Sequence, residues 1–430
     1  MSNMSLSKEP RLDPTERLRH RLYEPLYLKW ILKASTKPTE LKKRWRKVLD
    51  ALAWFGDFGH GGRTVVAVAL EDNPENLVLW VCGPDKKSAN HIAQVAQKML
   101  DTQNSNDVET SLANARLVIS SSIHLSTDKI KTYKKSLEVF LNKILDTCSR
   151  VDRDSEPNVD GRELFERLEE IRNHLTASTS NYDLCEFAAT FTGLSYITDC
   201  IRGSGEDYAA LSRVRHYITR LGAWHRNANI LLDFARSKCF PPELKSEYLP
   251  LPGTTHLPQV DSKTNLRSVA GRMFPSHQQD RAEEFHDQLS SLRLFDINDS
   301  FVQHYADESV SLAVHAEVYL LEHFYFQDLT YFAMDKYIGC SKASCYCCHL
   351  YQRFHPSHPA LRPCHENTYP KWCPPLMADG SVLDASKGKH NLDIMNAMIA
   401  YIRGDVIADV DRRMPCKAKV PDSSTAFSNK

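Results

Sequence analysis

The sequence predicts a two-part chain: a mainly α amino-terminal region followed by an α/β carboxy-terminal domain. Three observations carry this. From about residue 86 to 238, one segment after another has apolar residues at three- and four-residue spacing, the period of amphipathic helices. From about residue 300, short apolar stretches alternate with helical patterns, as in a layered α/β domain. Between these regions, residues 241–275 are rich in Pro, Ser, Thr and other polar residues and read as a linker or long loop.

In chain order, residues 1–15 are polar and expected to be disordered, and residues 16–240 form a mostly helical domain. Helical patterns run from about Pro14 to Ala34 and from Pro38 to Phe55, with each proline where helices tend to start. "GRTVVAVALEDNPENLVLWVCGPD" predicts a β-hairpin over 64–82 around the turn "EDNPEN". Helices are expected over "KKSANHIAQVAQKMLDTQ", "DKIKTYKKSLEVFLNKILDTC", "GRELFERLEEIRNHLTA", "DLCEFAATFTGLSYITDCIRG" and "EDYAALSRVRHYITRLGAWHRNANILLDFARSK".

The second domain is expected over 276–416 and opens with the helical "QDRAEEFHDQLSSLRLF". The apolar "SVSLAV" reads as a strand running into the helix "HAEVYLLEHFYFQ". "MDKYIGC" is a second strand, "CYCCHLYQRF" a helix and "ALRPCHE" a third strand. "LDIMNAMIAYIRGDVIADVDRR" closes the domain as a helix, and residues 417–430 read as a disordered tail. No fixed repeat period is visible.

Composition narrows the function classes. Lys+Arg and Asp+Glu both total 54, so whole-surface attraction to nucleic acid or anionic lipid is not expected. No apolar run approaches the ~20 residues needed to cross a bilayer, and the amino terminus lacks a secretory signal. The expected location is intracellular, cytoplasmic or nuclear, with no membrane partner and with thiols kept reduced. Six of the 12 cysteines fall between Cys340 and Cys373. In a reducing compartment such crowding points to metal rather than to disulfides.

Two short motifs sit at expected strand-to-helix junctions: "HAE" at 315–317 and the C-x-x-C of Cys345 and Cys348. H-x-E followed by C-x-x-C is the pattern of zinc deaminases. Cysteines three apart at a helix start share one face and can grip one ion, where free N–H groups favour the thiolate. His315 is the expected third ligand of Zn2+, which leaves a fourth position for water whose pKa zinc lowers to about 7. Glu317 is expected to stay off the metal and carry protons between water and substrate.

The runs "VHAEVYLLEHF", "YIGCSKASCYCCHLY" and "CHENTYPKW" resemble the fungal OTT-like branch of the cytidine deaminase-like superfamily. Its members read HAE, then "iG-S-K-x-x-C-x-x-C", then "sHgkvy-x-x-W". The second pattern appears as Ile338, Gly339, Cys340, Ser341, Lys342, Cys345 and Cys348, and the third as His365, Tyr369 and Trp372. Ser344 stands where the common deaminase form has proline, and the third pattern lacks its Gly and Lys here. The resemblance implies an α/β/α deaminase-like sandwich, zinc, and a nucleic acid or nucleotide base as substrate.

Plainer roles weigh against several residues. Cys340 and Cys347 are expected to pack, and His349, His355 and His358 to be exposed or locally bonded. A second zinc built from Cys364, His365 and Cys373 is the weaker alternative to ordinary loop residues. Lys342 could meet a substrate phosphate, His365 is a further candidate substrate contact, and Trp372 either packs under the site or stacks on a base. The basic stretch with Lys29, Lys33, Lys37, Lys42, Lys43, Arg44, Arg46 and Lys47, interleaved with Trp30 and Trp45, could track a phosphate backbone. Its plainer reading is the wet face of a helix.

The expected function is a zinc-dependent hydrolytic deaminase acting on an exocyclic amine of a cytosine- or adenine-type base. The alternative is a zinc-stabilised, non-catalytic interaction module. The helical domain is expected to select a substrate or a protein partner.

Overall fold

The computed structural model describes residues 13–32, 44–105, 107–151, 159–178, 180–203, 208–238, 240, 243–292, 297–375 and 385–412. The expectation of disorder at the amino terminus falls mostly on residues 1–12, and that for 417–430 wholly, outside this set. Helices α1 (Pro14–Leu32) and α2 (Arg44–Gly56) precede strands β1 (Ala67–Asp72) and β2 (Leu77–Gly83). A helical block follows: α3 (Lys86–Asn104), α4 (Val108–Leu125), α5 (Thr127–Val151), α6 (Val159–Ala177), α7 (Asn181–Thr190), α8 (Leu194–Gly203), α9 (Tyr208–Leu221) and α10 (Ala223–Arg236).

Side chains define several of these helix starts. Asp85, Asp107 and Ser180 cap α3, α4 and α7 by accepting backbone N–H groups of the first turn. The run predicted as one helix over 206–238 breaks into α9 and α10 at Gly222. A Cβ there would lie 2.6 Å from the Ala188 carbonyl oxygen, so the chain passes too close to α7 for a side chain. Helix α4 escapes the periodicity reading because Val108, Leu112 and Leu117 are exposed, which blurs its apolar stripe.

The segment predicted as a linker is partly ordered structure. It contains β3 (Leu244–Pro250), β4 (Thr255–His256) and α11 (Leu266–Met273). Strand β3 runs parallel to β2 from Leu77↔Leu244 to Gly83↔Pro250. Its polar composition suits a sheet edge, and its proline closes the strand. The remaining elements are α12 (Gln279–Ser291), α13 (Ile297–Tyr305), β5 (Ser311–Val314), α14 (Ala316–Phe326), β6 (Gly339–Cys340), α15 (Tyr346–Phe354), β7 (Trp372–Cys373) and α16 (Ala385–Asp411).

One sheet has the order β3-β2-β1-β6 and a second the order β4-β5-β7. Strand β6 pairs antiparallel with β1, so the hairpin placed by its sequence in the helical region shares a sheet with the C-x-x-C region. The period-two alternation of β1 explains how it serves both. Val66, Val68 and Leu70 face a core shared with α2, α3 and the helical block. Ala67, Ala69 and Cys82 face the core built from α14, α15 and α16. Helices on both faces of this mixed sheet make an α/β domain, and the amino-terminal region is mostly helical. The strand predicted at "MDKYIGC" is confined to Gly339–Cys340, and "ALRPCHE" makes a single bridge, Ser344↔Cys364. No helix among the described residues is long and apolar enough to cross a membrane.

Candidate metal centre

Strand β5 ends at Val314, and His315 in extended conformation is the residue from which α14 starts. Helix α14 has no Gly or Pro, and its first-turn Glu317 complements the positive end of the helix dipole. Cys345 occupies the same place on α15, where its sulfur accepts the Cys348 backbone N–H at 3.4 Å. The two helix starts meet although the strands ahead of them lie in different sheets, β6 paired with β1 and β5 with β7.

The result is a three-residue cluster. His315 Nδ1 lies 3.6 Å from Cys345 Sγ and 3.2 Å from Cys348 Sγ, and all three donor atoms lie within 4.8 Å of one another. Tetrahedral zinc with S and N ligands has edges of about 3.5–3.8 Å, so this donor set fits zinc in both chemistry and spacing. Burial works against ionising Cys345, but the Cys348 thiol hydrogen bond and the neighbouring His315 bring its pKa well below the usual thiol value. Burial and the adjoining Cys345 push Cys348 up. Burial also disfavours charge on His315, but the Cys345 thiolate raises its pKa. Cys345 and His315 thus favour each other's charged forms, and a cation bound between them would take the place of their protons.

Glu317 is buried, and its carboxylate accepts the Cys340 S–H at 3.4 Å. Its charge acts on both His315 and Cys348. Trp372 is fully buried, and its indole N–H donates to Cys348 Sγ at 3.2 Å. Its ring therefore lies beneath the ligands, with no face open for the base stacking considered from sequence. Cys347 is also fully buried and packs in the core.

Lys342 and His365 flank the cluster with partners of their own. Lys342 Nζ donates to the Gly61 carbonyl at 2.5 Å, which ties it to the loop ahead of β1. Gly61 has φ 106°, a left-handed conformation that favours glycine. Behind this loop, Lys129 and Asp57 form a fully buried pair at 3.3 Å. His365 is buried, its backbone N–H donates to the Ser344 carbonyl at 3.1 Å, and its Nδ1 accepts the Asn367 N–H at 3.1 Å. The same strap continues on either side: the Ser344 N–H donates to the Pro363 carbonyl at 2.9 Å and the Tyr346 N–H to the Asn367 carbonyl at 3.2 Å.

Sequence reasoning missed the group that shapes the "IGCSK" turn. Arg362, fully buried, donates to the carbonyls of Lys342 at 2.7 Å and Cys340 at 2.9 Å and to Asp50 Oδ1 at 2.9 Å. Asp50 also accepts the Cys340 N–H at 3.1 Å and the Tyr337 hydroxyl at 2.8 Å. No local signal marks Asp50 and Arg362 as partners, since they stand 312 residues apart. The second zinc considered for Cys364, His365 and Cys373 is not among the clusters that the described residues form.

The side chains of the basic stretch from Lys29 to Lys43 lie outside the described residues. Of the rest, Arg44 and Lys47 are exposed, as the wet face of a helix would have them, while Trp45 and Arg46 pack. Trp45 sits edge-on to Phe234, Phe240 and Phe332, and Arg46 pairs with Asp335 at 2.8 Å.

With this geometry in place, the comparison with known families is specific. Residues 314–376 match the family model of OTT_1508-like deaminases. No curated protein and no solved structure matches the chain. The deaminase-like segment runs from the end of β5 past β7 and includes His315, Glu317, Cys345 and Cys348.

Proposed function

We propose that this chain is a zinc-dependent hydrolytic deaminase that removes the exocyclic amine of a cytosine- or adenine-type base, in nucleic acid or nucleotide. The observation that carries the proposal is the convergence of His315, Cys345 and Cys348 beside the buried carboxylate of Glu317. His315, Cys345 and Cys348 would hold the ion. Zinc bound there supplies Lewis acidity that makes water nucleophilic at neutral pH.

Glu317 takes a proton from the attacking water and gives it to the ring nitrogen, then carries the remaining hydroxyl proton to the leaving amine. Water oxygen bonds to the ring carbon that carries the amine, the carbon–nitrogen bond breaks, and ammonia leaves a carbonyl behind. The Cys340 S–H on Glu317 Oε2 orients the carboxylate. A polynucleotide base must be single-stranded or extruded to be reached. The reading extends to an intracellular setting, where the buried thiols stay reduced.

Elemental analysis of purified protein together with ammonia release tests this. Cys345→Ser is expected to lose one zinc per chain relative to wild type. Glu317→Ala is expected to keep the wild-type zinc content while its ammonia release falls by roughly 10²–10⁴-fold. Unchanged turnover in Glu317→Ala would overturn the catalytic reading. The Cys340–Glu317 hydrogen bond favours a second reading, a non-catalytic zinc module in which Glu317 only braces β6. Under that reading no base releases ammonia, and Glu317→Ala lowers thermal stability alone.

A further inference from the structure

A second set of metal-binding side chains lies further along the same two helices. Glu322 is five residues beyond Glu317 on α14, His355 caps the carboxy-terminal end of α15, and His390 lies near the start of α16. Their donor atoms all lie within 4.8 Å of one another. Glu322 Oε1 is 3.2 Å from His355 Nε2 and 3.1 Å from His390 Nε2. His355, expected to be exposed or locally bonded, does bond locally to Ser357, but its side chain is fully buried and also meets Glu322.

We propose that Glu322, His355 and His390 form a second site for a divalent transition-metal ion of the zinc class, distinct from the His315–Cys345–Cys348 cluster. Three features argue for an ion rather than a plain hydrogen-bonded cluster. First, His355 Nε2 is buried and makes no hydrogen bond, although a carboxylate oxygen lies 3.2 Å away. Of the three groups it is His355 whose buried ring nitrogen is left without a hydrogen bond for an ion to replace, whereas His390 Nε2 lies 3.1 Å from both Glu322 oxygens.

Second, the 3.1 and 3.2 Å spacings approach the edge of about 3.4 Å expected for tetrahedral zinc with N and O ligands. One carboxylate with two imidazoles is a donor set that suits this class of ion. Third, the groups are supported as metal ligands are. The Tyr351 hydroxyl donates to Glu322 Oε1, and His355 Nδ1 lies 2.7 Å from Ser357 Oγ. A proton on Nδ1 given to Oγ leaves the Nε2 lone pair free for metal. The Ser357 backbone N–H approaches the same Nδ1 at 3.1 Å and favours the other tautomer, so binding must select between the two.

Tyr325 stacks on His390 at 4.7 Å and meets His355 edge-on at 5.0 Å, giving the site an aromatic wall. An ion here would staple α16 to the two helices whose opposite ends carry the deaminase-like cluster.

Metal content of the full chain tests the proposal, with wild type, Cys345→Ser, His390→Gln and the double variant compared after equilibration with zinc. The expected zinc content is two per chain, falling to one in each single variant and to none in the double variant. One zinc in wild type that Cys345→Ser loses and His390→Gln retains would overturn the second site. One zinc retained in Cys345→Ser but lost in His390→Gln would support the second site while removing the metal basis of the proposed deaminase. If His390→Gln does not fold, cobalt titration of metal-free wild type decides. The proposal requires a cobalt equivalent without thiolate-to-metal charge-transfer absorption, and saturation at a single equivalent that carries that absorption overturns it.

Discussion

Trp372 shows how one side chain can tune a ligand it does not replace. Its indole N–H donates to Cys348 Sγ from a fully buried position. Trp372→Phe keeps an aromatic ring in the site and removes that donor. Zinc affinity measured by chelator competition is expected to fall about 10–100-fold, with the far-ultraviolet circular dichroism unchanged. Asp57 makes a second case. Burial opposes its charge, but Lys129, Lys342 and the Thr64 and Ser341 hydroxyls outweigh it and lower its pKa. A carboxylate depressed in the folded state adds stability that is present above its unfolded pKa and lost as pH falls through its folded value. Asp57→Asn, which strands Lys129, should cost about 3–5 kcal/mol near neutral pH. It should also flatten the loss of stability that wild type shows below about pH 4, read from urea midpoints.

At this scale the sequence was informative where chemistry is local. The motif positions His315, Cys345 and Cys348 carry donor atoms that the fold does bring within 4.8 Å of one another. Arg362, Asp50, Glu322 and His390 gave no such signal, because each depends on partners brought close only by folding. Trp372 was half legible: its presence could be read from the motif, but its hydrogen bond to sulfur needs the β5–β7 register.

Among the elements, β6 depends on the absence of a side chain. A Cβ on Gly339 would sit 2.5 Å from the Leu49 carbonyl carbon, which is backbone of α2 and cannot rotate away. Gly339→Ala therefore has to move β6 off α2, at a cost of about 1–3 kcal/mol, and it displaces the turn that leads to Cys345. A lower urea midpoint together with weaker zinc binding is the expected result; unchanged values for both would show that α2 yields freely. Long helices and the hairpin could be read from periodicity because their patterns lie within one window. The short strands β4, β6 and β7 carry no period of their own, and β3 was hidden by a polar edge-strand composition.

For the whole molecule, the main consequence is that the deaminase-like segment does not hold its sheet alone. Strand β6 pairs with β1, and β1 divides its side chains between two cores. A chain shortened to begin at residue 276 would lack that partner strand. It is expected to be insoluble or to bind zinc weakly, which size-exclusion chromatography and metal analysis of the fragment would show. Recovery as a monomer with full zinc content would refute this dependence.

The pairing also sets a timetable. Val66 and Ser341, which meet where β1 and β6 join, are 275 residues apart in the chain. At about 5–20 residues per second, a ribosome needs roughly 15–55 s between making the first and making the second. Until Leu244–Pro250 is made both edges of the hairpin are open, and from then until Ser341 its β1 edge stays open. Such an edge is a template for foreign strands, so the nascent chain must be shielded by its own helices or by a chaperone until the last third of the protein emerges.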